Sequence, residues 1–244
     1  MLDYNDYKKI HEIRENNPEI YDLIKKISNY CLETASHGCH DLRNHAALIS
    51  SYCQLLTMTN PAIAKDSYFQ KIELSTKNLL NLFYEIAQFR YSFKNSDLNE
   101  ASLQSLIQSV IQKTREQFSD LSIDISCSDT IPAEKDRILC NSSHMTEALF
   151  AILKNSVEAC SPDSIHISIN TSYTEGFLIL TVTDNGCGFS DNMLTDACQP
   201  FITEWKNHSG LGLALASTVV YKHNGNLTLS NTDAGAKVTI ILPN

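Results

Sequence analysis

Apolar and small residues recur at intervals of three and four positions from Pro18 to Thr59, and this spacing is the strongest constraint on the fold. Residues at such intervals share one face of an α-helix, so the run predicts a single long amphipathic helix. Asn60-Pro61 ends it, because proline cannot continue a helix and restricts the residue before it. The predicted seam consists of Leu23, Ile27, Cys31, Ala35, Gly38, Leu42, Ala46, Ile49, Cys53 and Leu56.

A second seam of the same kind follows the break and predicts a second long helix. Its members are Tyr68, Ile72, Ser75, Leu79, Leu82, Ile86, Phe89 and Phe93. Two long amphipathic helices joined by a short loop form an antiparallel hairpin. A lone hairpin cannot bury two stripes of this width, so we expect it to pair with a second copy of the chain, as a homodimer built on a four-helix bundle.

His40 lies on the first predicted helix but away from its apolar seam. Counting around the helix from Leu42 places His40 and Asn44 on the opposite side, one turn apart. Asp41 lies on the flank of that outer face. His37 shares the face and is a second candidate for the same chemistry, although a glycine rather than an acid follows it. A histidine that packs in the core would lie on the apolar seam and not on the opposite face. We therefore expect the imidazole of His40 to be functional.

Strand-like and helix-like segments alternate in the rest of the chain. Helices are predicted near 102–119, 143–160 and 211–222, and strands near 121–127, 165–172, 177–183, 226–230 and 237–242. Elements mixed in this way predict a layer of helices packed on one sheet. The predicted fold class is therefore α+β, with an N-terminal extension at 1–17, a helical hairpin at 18–95 and an α/β sandwich domain at 97–244.

Charge and composition narrow the functional classes. Residues 1–96 carry equal numbers of basic and acidic side chains, so the net charge of −9 lies wholly in residues 97–244. We expect no nucleic-acid partner, because binding a phosphate backbone needs a basic face. The 8 cysteines form no C-x-x-C pair, which argues against zinc and favours reduced thiols in a cytoplasmic protein. We expect no membrane span, since no stretch approaches the roughly 20 apolar residues that one requires.

Two glycine-rich segments are placed as nucleotide-binding turns are. Asp184-Asn185-Gly186-Cys187-Gly188 directly follows an apolar strand. Its glycines let backbone approach a ligand, and the Asp184 carboxylate can accept a hydrogen bond from an amine such as that of adenine. A common hairpin turn is the alternative for an Asp-Asn-Gly run. Ser209-Gly210-Leu211-Gly212-Leu213 opens a helix, whose free N–H groups and positive dipole end suit phosphate.

Asn155 lies on the apolar-faced helix predicted at 143–160. An amide oxygen that faces a cleft can ligate magnesium, whereas the alternative is a helix asparagine bonded to its neighbours. A nucleotide in this acidic half needs a cation, because Lys154 and Lys206 are too few to neutralise its phosphates. Mg²⁺ and backbone N–H groups are expected to supply most of the compensating charge.

The order and spacing of these segments resemble the histidine-kinase catalytic domain. Segments 149–159, 184–189, 200–203 and 209–215 are similar to the N, G1, F and G2 boxes of that family, and 225–243 looks like its closing strands. The segment from His40 to Ile49 resembles the family's phosphoacceptor box, in the form found in citrate-type sensor kinases and sporulation phosphotransferases. A helical hairpin followed by an ATPase domain is also the family's order, and the resemblance covers residues 18–243.

This resemblance implies a sensor histidine kinase core, in which a dimerisation and phosphoacceptor hairpin precedes a Bergerat-type ATP-binding domain. His40 would attack the γ-phosphate of ATP while Asp41 holds or deprotonates the other ring nitrogen. The phosphoryl group would then pass to an aspartate on the receiver domain of a response regulator. Asn44 matches the position that orients water for dephosphorylating that partner. Nucleotide and Mg²⁺ contacts would come from Asn155, the metal ligand, and from Asp184, Gly186, Gly188, Gly210 and Gly212.

Several positions depart from the family pattern. Ala151 stands where a second polar residue is usual, and His208 replaces the first glycine of the second loop. His45 replaces the common proline of the phosphoacceptor box, and the stretch 202–209 leaves almost no ATP lid. These departures predict reduced autokinase activity. Residues 1–17 are too short for a sensor domain, so a separate sensor protein is a further expected partner.

Two other functional readings stay open. The first is a histidine phosphotransferase or scaffold that keeps the fold with a degenerate ATP site. The second is a relative of the serine kinases or gyrase-type ATPases, which share the nucleotide site but do not explain the His40 helix. Three other histidines, His144, His166 and His223, have no matched partner and are expected to be surface or capping residues.

Overall fold

The computed structural model describes residues 4–94, 97–161, 163–206 and 208–244. The chain divides into two compact units. The helical unit comprises Lys8–Arg90, and the sheet unit includes Tyr91–Asn244. Within the described ranges, no helix combines the length and the apolar character needed to cross a membrane.

The prediction of two long helices separated by a proline break is confirmed. After a short helix α1 (Tyr4–Asn16), α2 spans Pro18–Thr59 and α3 spans Ser67–Tyr91. The connection contains a 3-10 helix, Pro61–Lys65. Asn60, the residue before the proline, is non-helical and ends α2, as the restriction on a residue preceding proline requires.

Side chains next to the breaks determine where the two long helices begin. The Asn17 side chain accepts a hydrogen bond from the Ile20 N–H at 3.3 Å, which satisfies one of the free donors at the start of α2. Asp66 does the same for α3, because its Oδ1 accepts from the N–H groups of Tyr68 and Phe69, both at 2.9 Å. These short polar residues compete for the backbone N–H groups and so fix the helix starts.

Among its described side chains, the helical unit buries fewer residues than the predicted seams contain. Ala46 and Cys53 are buried on α2, and Phe69, Thr76 and Phe83 are buried on α3. Each set is spaced by seven, which is a single line along each helix. The two helices of a single chain shield only one line each, in keeping with the expectation that a lone hairpin cannot bury both stripes. The side chains of Cys31 and Ala35 lie outside the described residues. The exposed seam members include Leu23, Ile27, Leu42, Ile49, Leu56, Tyr68, Ile72 and Leu79.

The sheet unit contains a five-stranded sheet, a two-stranded sheet and helices, and the α+β class is confirmed. The helices are α4 (Leu103–Gln117), α5 (Ser142–Ala159), α6 (Asp191–Asp196) and α7 (Gly212–Lys222). The strands are β1 (Asn99–Ala101), β2 (Ile123–Asp129), β3 (Ile138–Cys140), β4 (Ile165–Thr174), β5 (Phe177–Asp184), β6 (Asn226–Asn231) and β7 (Ala236–Pro243).

The strand order of the larger sheet is β2-β4-β5-β7-β6, and β1 pairs with β3 in the smaller one. All neighbours are antiparallel except β2 and β4. Alternate residues of the central strands are buried, as on β4, where Ile165, Ile167 and Ile169 face inward. The helix α5 contacts β4 and β5, and it packs between α4 and α7. The core therefore lies between the helix layer and one face of the sheet.

Candidate functional site

Asp184 is the last residue of β5, and only 6% of its surface is exposed. The alternation of the strand places it on the buried face, in line with Leu180 and Val182. Its Oδ1 accepts hydrogen bonds from the N–H groups of Gly186, at 3.0 Å, and Ala236, at 3.1 Å. No described residue donates a hydrogen bond to its Oδ2. The carboxylate is thus held in place by one oxygen, and the other is available to a donor on a ligand.

The loop after Asp184 is folded against the end of α5. A Cβ added at Gly186 would lie 2.8 Å from both the Cβ and the carbonyl oxygen of Ala159. The N–H of Cys187 donates to that same carbonyl at 3.3 Å. Gly188 has φ of +72°, and a Cβ there would lie 2.9 Å from the side-chain oxygen of Asn231. This loop accepts no larger side chain at its glycines without displacing its neighbours.

The second glycine loop is anchored by its backbone. Gly210 has φ of +68°, and a Cβ there would lie 2.5 Å from the carbonyl oxygen of Ile202. The N–H of Phe201 donates to the Gly210 carbonyl at 3.2 Å. The helix α7 begins at Gly212, and no side chain caps this end. The N–H groups of its first turn are therefore free for an anion, which the positive end of the helix dipole also attracts.

One face of α5 runs past both loops. Ala151, Asn155 and Ala159 follow each other at intervals of four, so they share that face. At one end, a Cβ added at Gly212 would lie 3.8 Å from the Cβ of Ala151. At the other end, Ala159 contacts Gly186. Asn155 consequently stands between the loop after β5 and the start of α7.

Asn155 is suited to ligate a metal that is also bound by phosphates. The residue is half-buried, and in the described parts of the chain no other residue forms a hydrogen bond with its amide. The same parts contain no cluster of three His, Cys, Asp or Glu side chains that could hold a metal alone. Mg²⁺ commonly keeps several waters and takes one or two protein oxygens together with substrate phosphates. One amide oxygen beside a phosphate site fits that pattern.

His40 lies on α2 with its side chain 68% exposed. Two neighbours approach the same ring nitrogen, Nδ1. The Asn44 amide nitrogen lies 3.3 Å from it, and the Asp41 Oδ1 lies 3.7 Å from it. Both groups leave Nε2 unobstructed, so the imidazole can be oriented through one nitrogen while the other meets a reaction partner. The side chain of His37, the rival candidate, lies outside the described residues.

Residues 140–244 match the family model described as histidine kinase-, DNA gyrase B-, and HSP90-like ATPase. The matched range lies within the sheet unit. The matched range includes α5 and both glycine loops, so the family match and the geometry point to the same region. Together with the relatives described next, it confirms the resemblance to a histidine kinase core.

Two bacterial kinases and one solved structure illustrate the similarity. The chain is 25% identical over 234 residues to sporulation kinase D of Bacillus subtilis (strain 168), covering 95% of this chain and 44% of that protein. It is also 25% identical over 214 residues to the signal transduction histidine-protein kinase AtoS of Escherichia coli (strain K12), covering 84% of this chain and 33% of that protein. The chain thus spans less than half the length of either relative.

The crystal structure of full-length ShkA in complex with AMPPNP superimposes with a TM-score of 0.70 and 18% identity. It covers 86% of this chain and 45% of the ShkA chain. At this level of identity the likeness establishes the fold alone. The structural likeness extends beyond the ATPase domain, because it covers a larger part of this chain than the family match does.

Two asparagines that support the ATPase site were missed by sequence reasoning. The amide of Asn185 accepts from the His166 N–H at 2.9 Å and donates to the Ser164 carbonyl at 2.9 Å. Asn231 accepts from the Phe189 N–H at 2.8 Å and donates to the Phe189 carbonyl at 2.7 Å. These bonds hold the loop on both sides of its glycines. Asn231 lies 42 residues from its partner, so no local pattern could reveal it.

His144 was wrongly expected to lie at the surface. It is 3% exposed, and its ring meets the Tyr91 ring edge-on, with centroids 4.7 Å apart. Burial, with Lys222 and His223 nearby, lowers its pKa from 6.5 to about 4. His223 does cap α7, as expected, and its ring contacts the Val219 carbonyl at 2.7 Å. Burial also lowers the pKa of Lys222 to about 8. At neutral pH His144 is therefore neutral, whereas Lys222 keeps most of its positive charge.

Proposed function

We propose that the protein is a histidine kinase of a two-component system, which phosphorylates His40 from Mg-ATP and passes the phosphoryl group to an aspartate of a response regulator. The position of Asn155, between two glycine loops and without a protein hydrogen-bond partner among the described residues, carries the proposal. The ATPase family match and the histidine kinases among the relatives support it.

Each part of the ATPase site has a role toward the nucleotide. The Asp184 Oδ2 accepts a hydrogen bond from the adenine amine, while its Oδ1 stays bonded to the backbone. Gly186 and Gly188 let the loop approach the nucleotide closely. Gly210 shapes the turn before α7, and Gly212 opens the helix whose first N–H groups face the phosphates. Asn155 would hold Mg²⁺, and the ion would supply positive charge to neutralise the phosphates.

His40 supplies the nucleophile. With its Nδ1 proton directed to the Asp41 carboxylate, the lone pair of Nε2 is free to attack. Asn44 can present its amide oxygen to the same proton, since the two ends of an amide are interchangeable in shape. The new bond joins Nε2 to the γ-phosphorus, and the bond to the bridging oxygen of ADP breaks. In a separate phosphatase reaction, Asn44 orients a water molecule that dephosphorylates the regulator.

The helical unit supports a homodimer. Its exposed apolar side chains include Leu42 at 58%, Ile49 at 45% and Leu56 at 47%, all on α2. Ile72 and Leu79 add a matching stripe on α3, at 49% and 40%. Apolar stripes of this length are uncommon on monomers and are covered when two hairpins form a four-helix bundle.

The partners and the location follow from the same proposal. A receiver domain of a response regulator is the acceptor of the phosphoryl group. The chain acts in the cytoplasm, where thiols stay reduced. Seven cysteines in the described residues are unpaired, in line with such a compartment.

Incubation with γ-labelled ATP and magnesium tests the proposal. We expect label on the protein that is stable to alkali and labile to acid, as phosphohistidine is. Bound Mg-ATP without any label would instead favour a phosphotransferase or scaffold that has kept the fold. Label that survives acid would point to a serine or threonine acceptor and would contradict the role of His40.

A further inference from the structure

His208 immediately precedes the loop that leads into α7, and its side chain pairs with α5. Its Nδ1 lies 3.6 Å from Glu158 Oε2, and the two side chains are 33% and 27% exposed. Glu158 lies one turn beyond Asn155 on the same helix, with its other oxygen 4.0 Å from the Lys154 ammonium. The side chain of the residue just before the loop thus reaches the helix that carries the proposed metal ligand, one turn from that ligand.

The loop has a second anchor on its other side. Gly210 is fixed by backbone contacts with Phe201 and Ile202. Ser209 lies between the two anchors, and its Oγ accepts from the Leu211 N–H at 3.1 Å. A glycine in place of His208 would leave only the backbone anchor, because glycine has no side chain to reach Glu158. Histidine at position 208, where the resembled family pattern has glycine, therefore adds the contact with Glu158.

We propose that the pair His208–Glu158 holds the phosphate loop, Ser209–Leu213, against α5 beside Asn155 and thereby slows the release of the nucleotide. This inference rests on the proposed function, because it assumes that phosphates bind at this loop. His208 is a positioning residue here, since it acts through the N–H groups of the loop and not on the reacting atoms. Holding the loop in its bound arrangement reduces the ordering cost of binding and acts mainly on the dissociation rate.

The expected effect is modest and depends on salt. The contact is an ion pair when the imidazole is protonated, and a partly exposed ion pair corresponds to a change of about two- to fivefold in an equilibrium or dissociation constant. Because both groups meet solvent, dissolved ions weaken their attraction, and at about 1 M salt the screening length falls to about 3 Å. A purely steric role of the His208 ring would not respond to salt in this way.

The chain contains its own optical reporter beside this pair. Trp205 is the single tryptophan of the protein. Its ring meets the His208 ring edge-on, with centroids 5.0 Å apart. Energy transfer from Trp205 to a bound N-methylanthraniloyl-ADP therefore follows release of the nucleotide from this region. Substituting Glu158 leaves the two rings unchanged and tests the charge pair alone.

The experiment measures release of N-methylanthraniloyl-ADP with magnesium from the full chain in a stopped-flow instrument. We expect Glu158→Gln and His208→Gln each to raise the dissociation rate about two- to fivefold at low salt, and the double variant to add nothing further. His208→Lys supplies an ammonium that can pair with Glu158, and it should release the analogue at close to the wild-type rate. The differences should shrink at high salt. Asp124→Asn is the matched control, because it breaks the exposed pair of Asp124 with His166, at 3.1 Å, and should change nothing.

Two results overturn the inference while leaving the proposed function intact. One is release at the wild-type rate from both Glu158→Gln and His208→Gln, with the wild type binding the analogue. The other is equally fast release from His208→Lys and His208→Gln, which would show that charge is irrelevant. A wild-type chain that does not bind the analogue would overturn the proposed function together with the inference.

Discussion

Asp184→Asn is the sharpest test of the adenine contact, because it changes one atom and leaves the supporting bonds in place. The introduced amide keeps an oxygen that can accept from the N–H groups of Gly186 and Ala236, now 3.0 and 3.1 Å from Oδ1. In place of Oδ2 it presents an NH₂ group. A donor then faces the adenine amine, which is also a donor, whereas guanine has a carbonyl at that position.

The magnitude follows from the hydrogen bond that is lost. A bond to a charged acceptor contributes about 1.5–3 kcal/mol, so Mg-ATP should bind about 10- to 150-fold more weakly. Mg-GTP should bind with unchanged or greater affinity, so the preference for ATP over GTP should fall by at least the factor lost in ATP affinity. Asp184→Ala is less informative, because it strands two N–H groups and costs about 1–3 kcal/mol of stability for each one left unsatisfied.

Calorimetric titration with Mg-ATP and Mg-GTP measures both affinities, and thermal melting checks that the variant is folded. The adenine contact of Asp184 is refuted if folded Asp184→Asn binds Mg-ATP as tightly as the wild type, with the same preference over Mg-GTP. That result would mean that Oδ2 does not face the adenine amine. Asp184 would then only fasten the loop to β7.

Three further outcomes are expected. Ala151→Asn places an amide near the start of α7, since a Cβ at Gly212 would lie 3.8 Å from the Ala151 Cβ. The initial rate of labelling from ATP should rise about tenfold, for a barrier lowered by about 1.4 kcal/mol, and an unchanged rate would show that position 151 does not limit transfer. Ile49→Glu puts a charge on the exposed stripe of α2 and should halve the mass measured by light scattering of the full chain, whereas a persistent dimer would place the interface elsewhere. Burial of His144 lowers its pKa from 6.5 to about 4, so between these pH values the unfolded chain binds more protons and the free energy of unfolding should fall as the pH drops. The melting temperature of His144→Leu should depend less on pH than that of the wild type, and an equal pH dependence in the two would show that His144 does not cause it.

The sequence predicts best where a local rule governs the structure. Asn60-Pro61 ends α2 as expected, because the restriction on a residue before proline is a local steric effect. The end of β5 and the start of α7 could also be placed by a local rule, because glycines follow β5 and a glycine begins α7. Asn155 was singled out by its place on an amphipathic helix, and the structure puts it on the face that runs past both loops.

The remainder depends on contacts between distant segments. The three-residue strands β1 and β3 pair with each other, and neither is long enough to show a pattern. Burial of His144 results from packing against Tyr91, 53 positions earlier in the sequence, and cannot be read from its neighbours. In the helical unit the apolar stripes are wider than one line of contact, so periodicity identified the helices but not which residues a single chain buries.

Labelling of His40 is the most direct test of the central claim that this histidine receives the phosphoryl group. The full chain and the variants His40→Gln and His37→Gln are incubated with γ-labelled ATP and magnesium, and binding of Mg-ATP is measured in parallel. We predict alkali-stable, acid-labile label on the wild type and on His37→Gln, and none on His40→Gln, with unchanged nucleotide binding in all three. Label at the wild-type level on His40→Gln, or its loss in His37→Gln alone, would contradict the assignment.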